Sequence, residues 1–160
     1  ELKKIKAEDY QGLILFSSSG DGTIYKIFCE NYKMYFDLRG NEPSLYFRYL
    51  QLRMNKKNSE LLIELYPEAE DTVFRQIEHD LYHIAKNIYH VYVEKFIRKS
   101  TDKEALLLPK EQYIVLRKCH AWHLENRQMH RISLQKVVEI LNTQSPIFLE
   151  RMLNHPTHVL

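Results

Sequence analysis

The chain has 160 residues, a formal net charge of +2 at pH 7 and 44% hydrophobic residues. This composition fits one globular domain, or the end of one domain plus a second small one, and it excludes a disordered chain. No apolar run approaches the roughly 20 residues of a membrane helix, and Cys29 and Cys119 are too few for a disulfide framework. We therefore expect no membrane partner and a reducing, cytoplasmic location. The chain starts on Glu1 without Met, and we expect it to be a piece of a longer protein.

The charge is unevenly distributed along the sequence. Residues 26–57 hold seven basic and three acidic residues, residues 60–80 hold one and seven, and residues 103–136 again hold seven and three. Two basic zones on either side of an acidic one indicate a bipolar surface, and a basic face attracts phosphate-bearing partners. Ordinary surface patterning is the alternative.

The first forty residues predict β structure. A run of apolar residues at 12–16 and a second at 23–28 are joined by a Ser/Gly-rich turn that contains Asp21-Gly22, a hairpin signal. The first strand is apolar on both faces and is therefore expected to be central in its sheet. A third strand is expected at 34–38. We assign residues 1–40 to a β segment.

Residues 41–160 predict a helical domain. Asn41 is the expected N-cap of a helix to about residue 54, and Ser59 that of a helix over 60–66. The longest helix is expected at 68–99, and three more over 109–125, 134–141 and 145–154. Apolar residues of the long helix recur at intervals of three and four, the period of a packed face: Phe74, Ile77, Leu81, Ile84, Ile88 and Val91. The predicted fold class is α+β: a small antiparallel sheet segment at the N-terminus followed by a mostly α-helical bundle.

Two groups of histidines were considered as metal ligands. His79, His83 and His90 lie opposite the apolar seam on the long helix, and Cys119, His120 and His123 lie close together on a later one. Neither group has the second ligand pair of a zinc site, so we predict no metal site. Stacking of these histidines on bases remains an alternative.

Basic side chains interleaved with aromatic ones mark a candidate nucleic-acid site. The segment 46–53 alternates tyrosine and phenylalanine with two arginines, and arginine forks hold phosphate in a bidentate manner. Packing of the aromatic rings in the core is the alternative. The candidate nucleic-acid-binding residues are Arg39, Arg48, Arg53, Arg117, Lys118, Arg127 and Arg131.

The order of parts resembles the covalent nucleotidyltransferases, the superfamily of RNA ligases, DNA ligases and capping enzymes. In that superfamily a strand reading Glu-Gly-(Leu/Tyr)-(Ile/Val) precedes a strand with Lys-x-Lys. Here Gln11-Gly12-Leu13-Ile14 looks like the first strand and Tyr25-Lys26-Ile27-Phe28 like the second, with Tyr32 following. Gln11 replaces the family's Glu, and Phe28 stands where a second Lys is common. The continuation through residue 53 also resembles tails of ligase-like proteins from large DNA viruses.

This resemblance implies a function that the chain cannot carry out alone. It implies that the β segment ends a nucleotide-binding domain, that Lys26 contacts a nucleotide phosphate, and that the helical domain positions RNA. In such ligases, which use ATP and a divalent metal such as Mg²⁺, a lysine attacks ATP, the nucleotide moves to a 5′-phosphate, and a 3′-hydroxyl displaces it. The nucleophilic motif Lys-x-Asp-Gly is absent from this sequence, so the enzymatic status of the chain stays open. The alternatives are a non-catalytic nucleic-acid-binding module and a protein-interaction bundle.

Overall fold

The structure, a computed structural model, describes residues 10–102 and 106–154. Within these residues a two-stranded antiparallel sheet precedes seven α-helices, which confirms the α+β class. The strands are β1 (Gly12–Phe16) and β2 (Ile24–Phe28), and the helices are α1 (Glu30–Arg39), α2 (Leu45–Leu52), α3 (Lys56–Leu65), α4 (Arg75–Tyr92), α5 (Lys110–Glu125), α6 (Leu134–Asn142) and α7 (Pro146–Asn154).

The two strands form the hairpin that the sequence predicts. β1 and β2 pair with Gly12 opposite Phe28 and Phe16 opposite Ile24. In the connecting turn, Asp21 accepts a hydrogen bond from the backbone N–H of Thr23 at 2.9 Å. Within the described residues the sheet has only these two strands and most of their side chains are exposed, so the structure does not show β1 as a central strand.

The third strand expected at 34–38 is wrong, since these residues belong to α1. The helix begins after Cys29, whose sulfur accepts a hydrogen bond from Tyr32 N, and ends at Gly40, whose φ of 60° favours glycine. Aromatic residues favour strands, but these end signals and the contacts of Leu38 with the helical core outweigh that preference.

Two predicted helix starts are displaced. α2 is capped by Ser44, not Asn41, because the Ser44 hydroxyl accepts from Phe47 N at 3.2 Å. α3 is capped by Asn55, not Ser59, so the polar stretch at 55–58 opens the helix. Ser59 is buried inside α3, and its hydroxyl donates to the carbonyl of Lys56. Asparagine and serine both serve as caps, so the sequence left these starts ambiguous.

The long helix expected at 68–99 is one continuous rod of mixed helical geometry. A 3₁₀ turn (Pro67–Ala69) and a π-helical turn (Glu70–Phe74) precede α4, and a second π-helical turn (Val93–Ile97) follows it. All six residues of the predicted seam are buried, none more than 3% exposed. The seam is therefore confirmed as the centre of the core.

The last three helices lie close to their predicted bounds and pack around α4. Ser133 caps α6 as expected, accepting from Lys136 N at 3.2 Å. α5, α6 and α7 each contact α4, and together they bury Leu116, Val137, Leu141, Leu149 and Met152. No helix in the described ranges is long and apolar enough to cross a membrane.

Candidate functional site

A cavity of about 380 Å³ lies where the hairpin meets α1. It is lined by Gln11, Lys26, Phe28, Tyr32, Lys33, Phe36 and Asp37. We call it the Lys26 pocket. The fold thus brings together Gln11, Lys26 and Tyr32, which the sequence associated through the resemblance to nucleotidyltransferases.

Lys26 is held by neutral groups. Its ammonium donates to Gln11 Oε1 at 3.1 Å and lies 4.6 Å from the centre of the Phe28 ring. Among the described residues it forms no ion pair, because the partner at position 11 is an amide and not a carboxylate. Its positive charge is therefore available to an anion in the pocket.

Gly12 allows β1 to approach β2 beside Gln11. A Cβ atom at this position would lie 2.0 Å from the carbonyl oxygen of Ile27, closer than any side chain can come. The backbone N–H of Cys29 also bonds the carbonyl of Gln11 at 3.0 Å. The close approach of the two backbones thus explains why this position of the motif requires glycine.

Three aromatic rings line the α1 side of the Lys26 pocket. Phe28 stacks on Tyr32 with ring centres 5.6 Å apart, and Tyr32 stacks on Phe36 at 6.2 Å. The spacing of four residues places Tyr32 and Phe36 on one side of α1, and Phe28 reaches Tyr32 from the end of β2. Lys33 and Asp37 form a second row at the same spacing. Lys33, Phe36 and Asp37 are not among the predicted site residues, because the sequence favours a strand at 34–38 where α1 lies.

Arg39 and Arg48 both bind backbone carbonyls at the junction of α1 and α2. Arg48 donates to the carbonyls of Leu38 and Asp37 at 2.7 and 2.8 Å, and to Gln51 Oε1 at 2.8 Å. Arg39 donates to the carbonyls of residues 42 and 43. Carbonyls at a helix C-terminus lack hydrogen-bond donors within the helix. At the end of α1, the Arg48 guanidinium provides these donors.

Arg53 lies elsewhere, at the end of α2, and its side chain is only 7% exposed. Its Nε and Nη2 atoms donate to the two carboxylate oxygens of Glu78, each at 2.7 Å. Its Nη1 donates to Asn142 Oδ1 at 2.8 Å. The guanidinium thereby connects α2 to α4 and α6, and a phosphate would have to displace Glu78 to reach it.

The other predicted basic residues lie on α5 and the loop after it. Arg117, Arg127 and Arg131 are exposed, and no described residue forms an ion pair or hydrogen bond with their guanidinium groups. Lys118 donates to Gln144 Oε1. These three arginines, which have no partner among the described residues, therefore present positive charge to solvent, unlike Arg39, Arg48 and Arg53.

Histidines of α5 and of the loop after it stack on aromatic rings. His120 stacks on Phe96 at 3.9 Å, and His130 stacks on Trp122 at 4.0 Å while its Nδ1 lies 2.7 Å from the carbonyl of Trp122. Burial lowers the pKa of His120, and the positive charges of His123, Arg127 and Lys95 lower it further. The lowered pKa favours the neutral form of His120.

No cluster of three metal-ligating side chains occurs among residues 10–102 and 106–154. His79 and His83 are exposed neighbours on α4, with their Nε2 atoms 3.1 Å apart. Cys119 is buried among apolar residues, and this burial raises the pKa of its thiol to about 11. A protonated thiol is a poor metal ligand and a poor nucleophile.

The chain is similar to two viral proteins. One is an immediate-early protein ICP-46 homolog of Invertebrate iridescent virus 6, 24% identical over 157 residues that cover 92% of this chain. The other is the homolog of the same name from Invertebrate iridescent virus 3, 29% identical over 158 residues that cover 94% of this chain. The chain spans about a third of the length of each, 34%. No family model and no solved structure matches it.

Proposed function

We propose that this chain forms the C-terminal portion of an ATP-dependent RNA ligase-like nucleotidyltransferase, in which Lys26 contacts a nucleotide phosphate. The observation that carries the proposal is the Lys26 pocket. It gathers Gln11, which lies just before β1, with Lys26 of β2 and Tyr32 of α1, although up to 21 positions separate them in the sequence.

The chemistry of the Lys26 pocket favours a phosphorylated aromatic ligand. Lys26 and Lys33 provide two positive charges against the single carboxylate of Asp37, so the lining has a net positive charge. Tyr32 and Phe36 add aromatic surface, on which a base can stack. A volume of about 380 Å³ lies within the range of small-ligand sites.

The length of the two viral relatives supports the proposal that this chain is part of a longer protein. Each is about three times as long as this chain, so the chain alone represents one part of such a protein. Their name describes viral immediate-early proteins, in line with the viral origin that the resemblance implies, and it states no enzymatic activity. The nucleophilic lysine and the residues that hold Mg²⁺ belong, in this proposal, to other parts of the parent.

The test is a covalent labelling experiment on the full-length parent protein. It is incubated with α-labelled ATP, and separately GTP, and a divalent metal, and then denatured. We expect label that survives denaturation with ATP, and a reduction of at least about tenfold in Lys26→Ala, because electrostatic stabilisation of the phosphate is lost. Lys110→Ala is the matched control, an exposed lysine of α5 outside the Lys26 pocket. Absence of label with both nucleotides would refute the proposal.

A second candidate function is a non-catalytic RNA-binding module. The specific observation in its favour is the set of exposed arginines without described partners, Arg117, Arg127 and Arg131. It predicts that RNA binding weakens with salt, each neutralised phosphate adding about 0.7 to the slope for single strands. Alanine at the three positions should lower that slope by about 2. The absence of salt-dependent binding by the intact chain would leave the protein-interaction bundle.

A further inference from the structure

The hairpin exposes large apolar side chains on both faces. By strand alternation, Leu13, Leu15, Tyr25 and Ile27 share one face, and Ile14, Phe16 and Ile24 share the other. Their exposed fractions range from 37% for Leu13 to 75% for Phe16. An isolated surface leucine is ordinary, but seven large apolar residues on one small hairpin form a patch that indicates an interaction site.

Both edges of the hairpin are also open. The hydrogen bonds Cys29 N to Gln11 O and Ser17 N to Thr23 O fix the register, so residues 13, 15, 25 and 27 direct their backbone groups inward. Residues 14, 16, 24 and 26 direct their N–H and C=O groups outward, where no described strand pairs with them. Unpaired edges next to apolar faces favour the addition of further strands.

The helical bundle does not cover the hairpin. The buried core begins at Leu38, and no residue of β1 or β2 belongs to it or packs against it among the described residues. A two-stranded sheet alone is at best marginally stable in water. A hairpin of this composition therefore needs layers on both faces as well as neighbours at its edges.

We propose that β1 and β2 are two strands of a larger sheet, and that the other strands and the covering layers belong to a further part of the same polypeptide. A second copy of the chain is a less suitable partner for the hairpin. Pairing of two hairpins edge to edge would leave both faces of each hairpin in water, and packing of two hairpins face to face would cover only one face of each. The curated relatives, three times as long, have room for such a domain. The proposal and the proposed function both place the hairpin in a larger domain of a longer parent, but the proposal rests on the open edges and exposed faces of the hairpin and holds whatever ligand the Lys26 pocket binds.

Amide hydrogen exchange tests the proposal at single residues. We compare the outward amides of Ile14, Phe16, Ile24 and Lys26 in the 160-residue chain and in the full-length protein. We expect exchange at least about 100-fold slower in the full-length protein, because further strands bond these amides. Equal exchange in both proteins would overturn the proposal. So would protection in the 160-residue chain that rises with its concentration, which would indicate a second copy.

A pair of matched variants provides a second measurement that does not depend on exchange. Ile24 on the hairpin is 60% exposed and Ile147 on α7 is 54% exposed in this structure. We expect Ile24→Lys to lower the urea midpoint of the full-length protein and to leave that of the 160-residue chain unchanged, while Ile147→Lys changes neither. An unchanged midpoint for Ile24→Lys in the full-length protein would contradict the proposal. The nucleotide-labelling experiment does not bear on these outcomes, so the two proposals fail separately.

Discussion

Arg53→Met separates a structural role of this arginine from phosphate binding. The guanidinium binds Glu78 through two parallel hydrogen bonds of 2.7 Å and Asn142 through a third, and the side chain is 7% exposed. Methionine keeps much of the aliphatic stem and removes all of these bonds. We expect it to destabilise the protein, because α2, α4 and α6 lose their common polar contact.

The magnitude follows from the burial of the two partners. Breaking a fully buried ion pair costs about 3–5 kcal/mol, whereas an exposed pair contributes about 0–1 kcal/mol. Here Arg53 is buried but Glu78 is 43% exposed, so water can solvate the abandoned carboxylate. We therefore expect a loss of about 2–3 kcal/mol in the free energy of unfolding, or a decrease of roughly 5–10 °C in Tm.

Urea denaturation and RNA binding, measured on the same variant, decide between the two roles. Arg127→Ala is the control, because this exposed arginine has no described protein partner and should change stability by less than about 0.5 kcal/mol. A double-mutant cycle with Glu78→Gln should show coupling of about 1–2 kcal/mol. If Arg53→Met leaves stability unchanged and weakens RNA binding, the structural reasoning is wrong and Arg53 contacts phosphate.

Three further predictions concern the helix ends, the core and the hairpin. Arg48→Met should cost about 1–3 kcal/mol in urea denaturation, since it leaves carbonyls at the end of α1 unpaired; a neutral effect would show that water replaces it. Burial, followed by the charge and hydrogen bond of Glu78, raises the pKa of Tyr49 to about 12. The free energy of unfolding should therefore be independent of this group below pH 10 and decrease from pH 10 to 12, and Tyr49→Phe should remove that decrease. Gly12→Ala should disrupt the hairpin and leave the bundle's unfolding transition in place, because the new Cβ meets Ile27 O; intact cross-strand NMR contacts would refute this.

The helical core was predictable because its signals are local and periodic. The seam of α4 repeats at the spacing of a packed helix, and Ser133 and Pro109 mark helix starts in the sequence as in the structure. α1 was missed because its aromatic residues favour strands and its N-cap is Cys29, an unusual capping residue. The contact that stabilises its other end comes from Arg48, ten residues away from its acceptor, and no local pattern reveals it.

The Lys26 pocket could be predicted only in part, because α1 was not predicted as a helix. The resemblance associates Gln11 with Lys26, and the hairpin allows the contact between them, although the register pairs Lys26 with Ile14 and Gln11 lies just before β1. Lys33, Phe36 and Asp37 join them only once α1 is a helix, because a strand would alternate them between two faces. The error in one secondary-structure element thus removed three of the seven lining residues from the predicted site.

Basic residues near one another in sequence differ here in whether their charge is available. Arg39, Arg48 and Arg53 are predicted from the sequence to bind nucleic acid, yet each donates to backbone carbonyls or to a carboxylate. Desolvated donors that already have partners gain little from a phosphate, because binding it requires breaking existing bonds. Among the described residues, positive charge without an ion-pair partner lies on the two lysines of the Lys26 pocket and on the arginines of α5 and the loop after it. These two places differ in shape, one concave and aromatic, the other exposed, which is why we propose the first for a nucleotide and the second for an extended phosphate backbone.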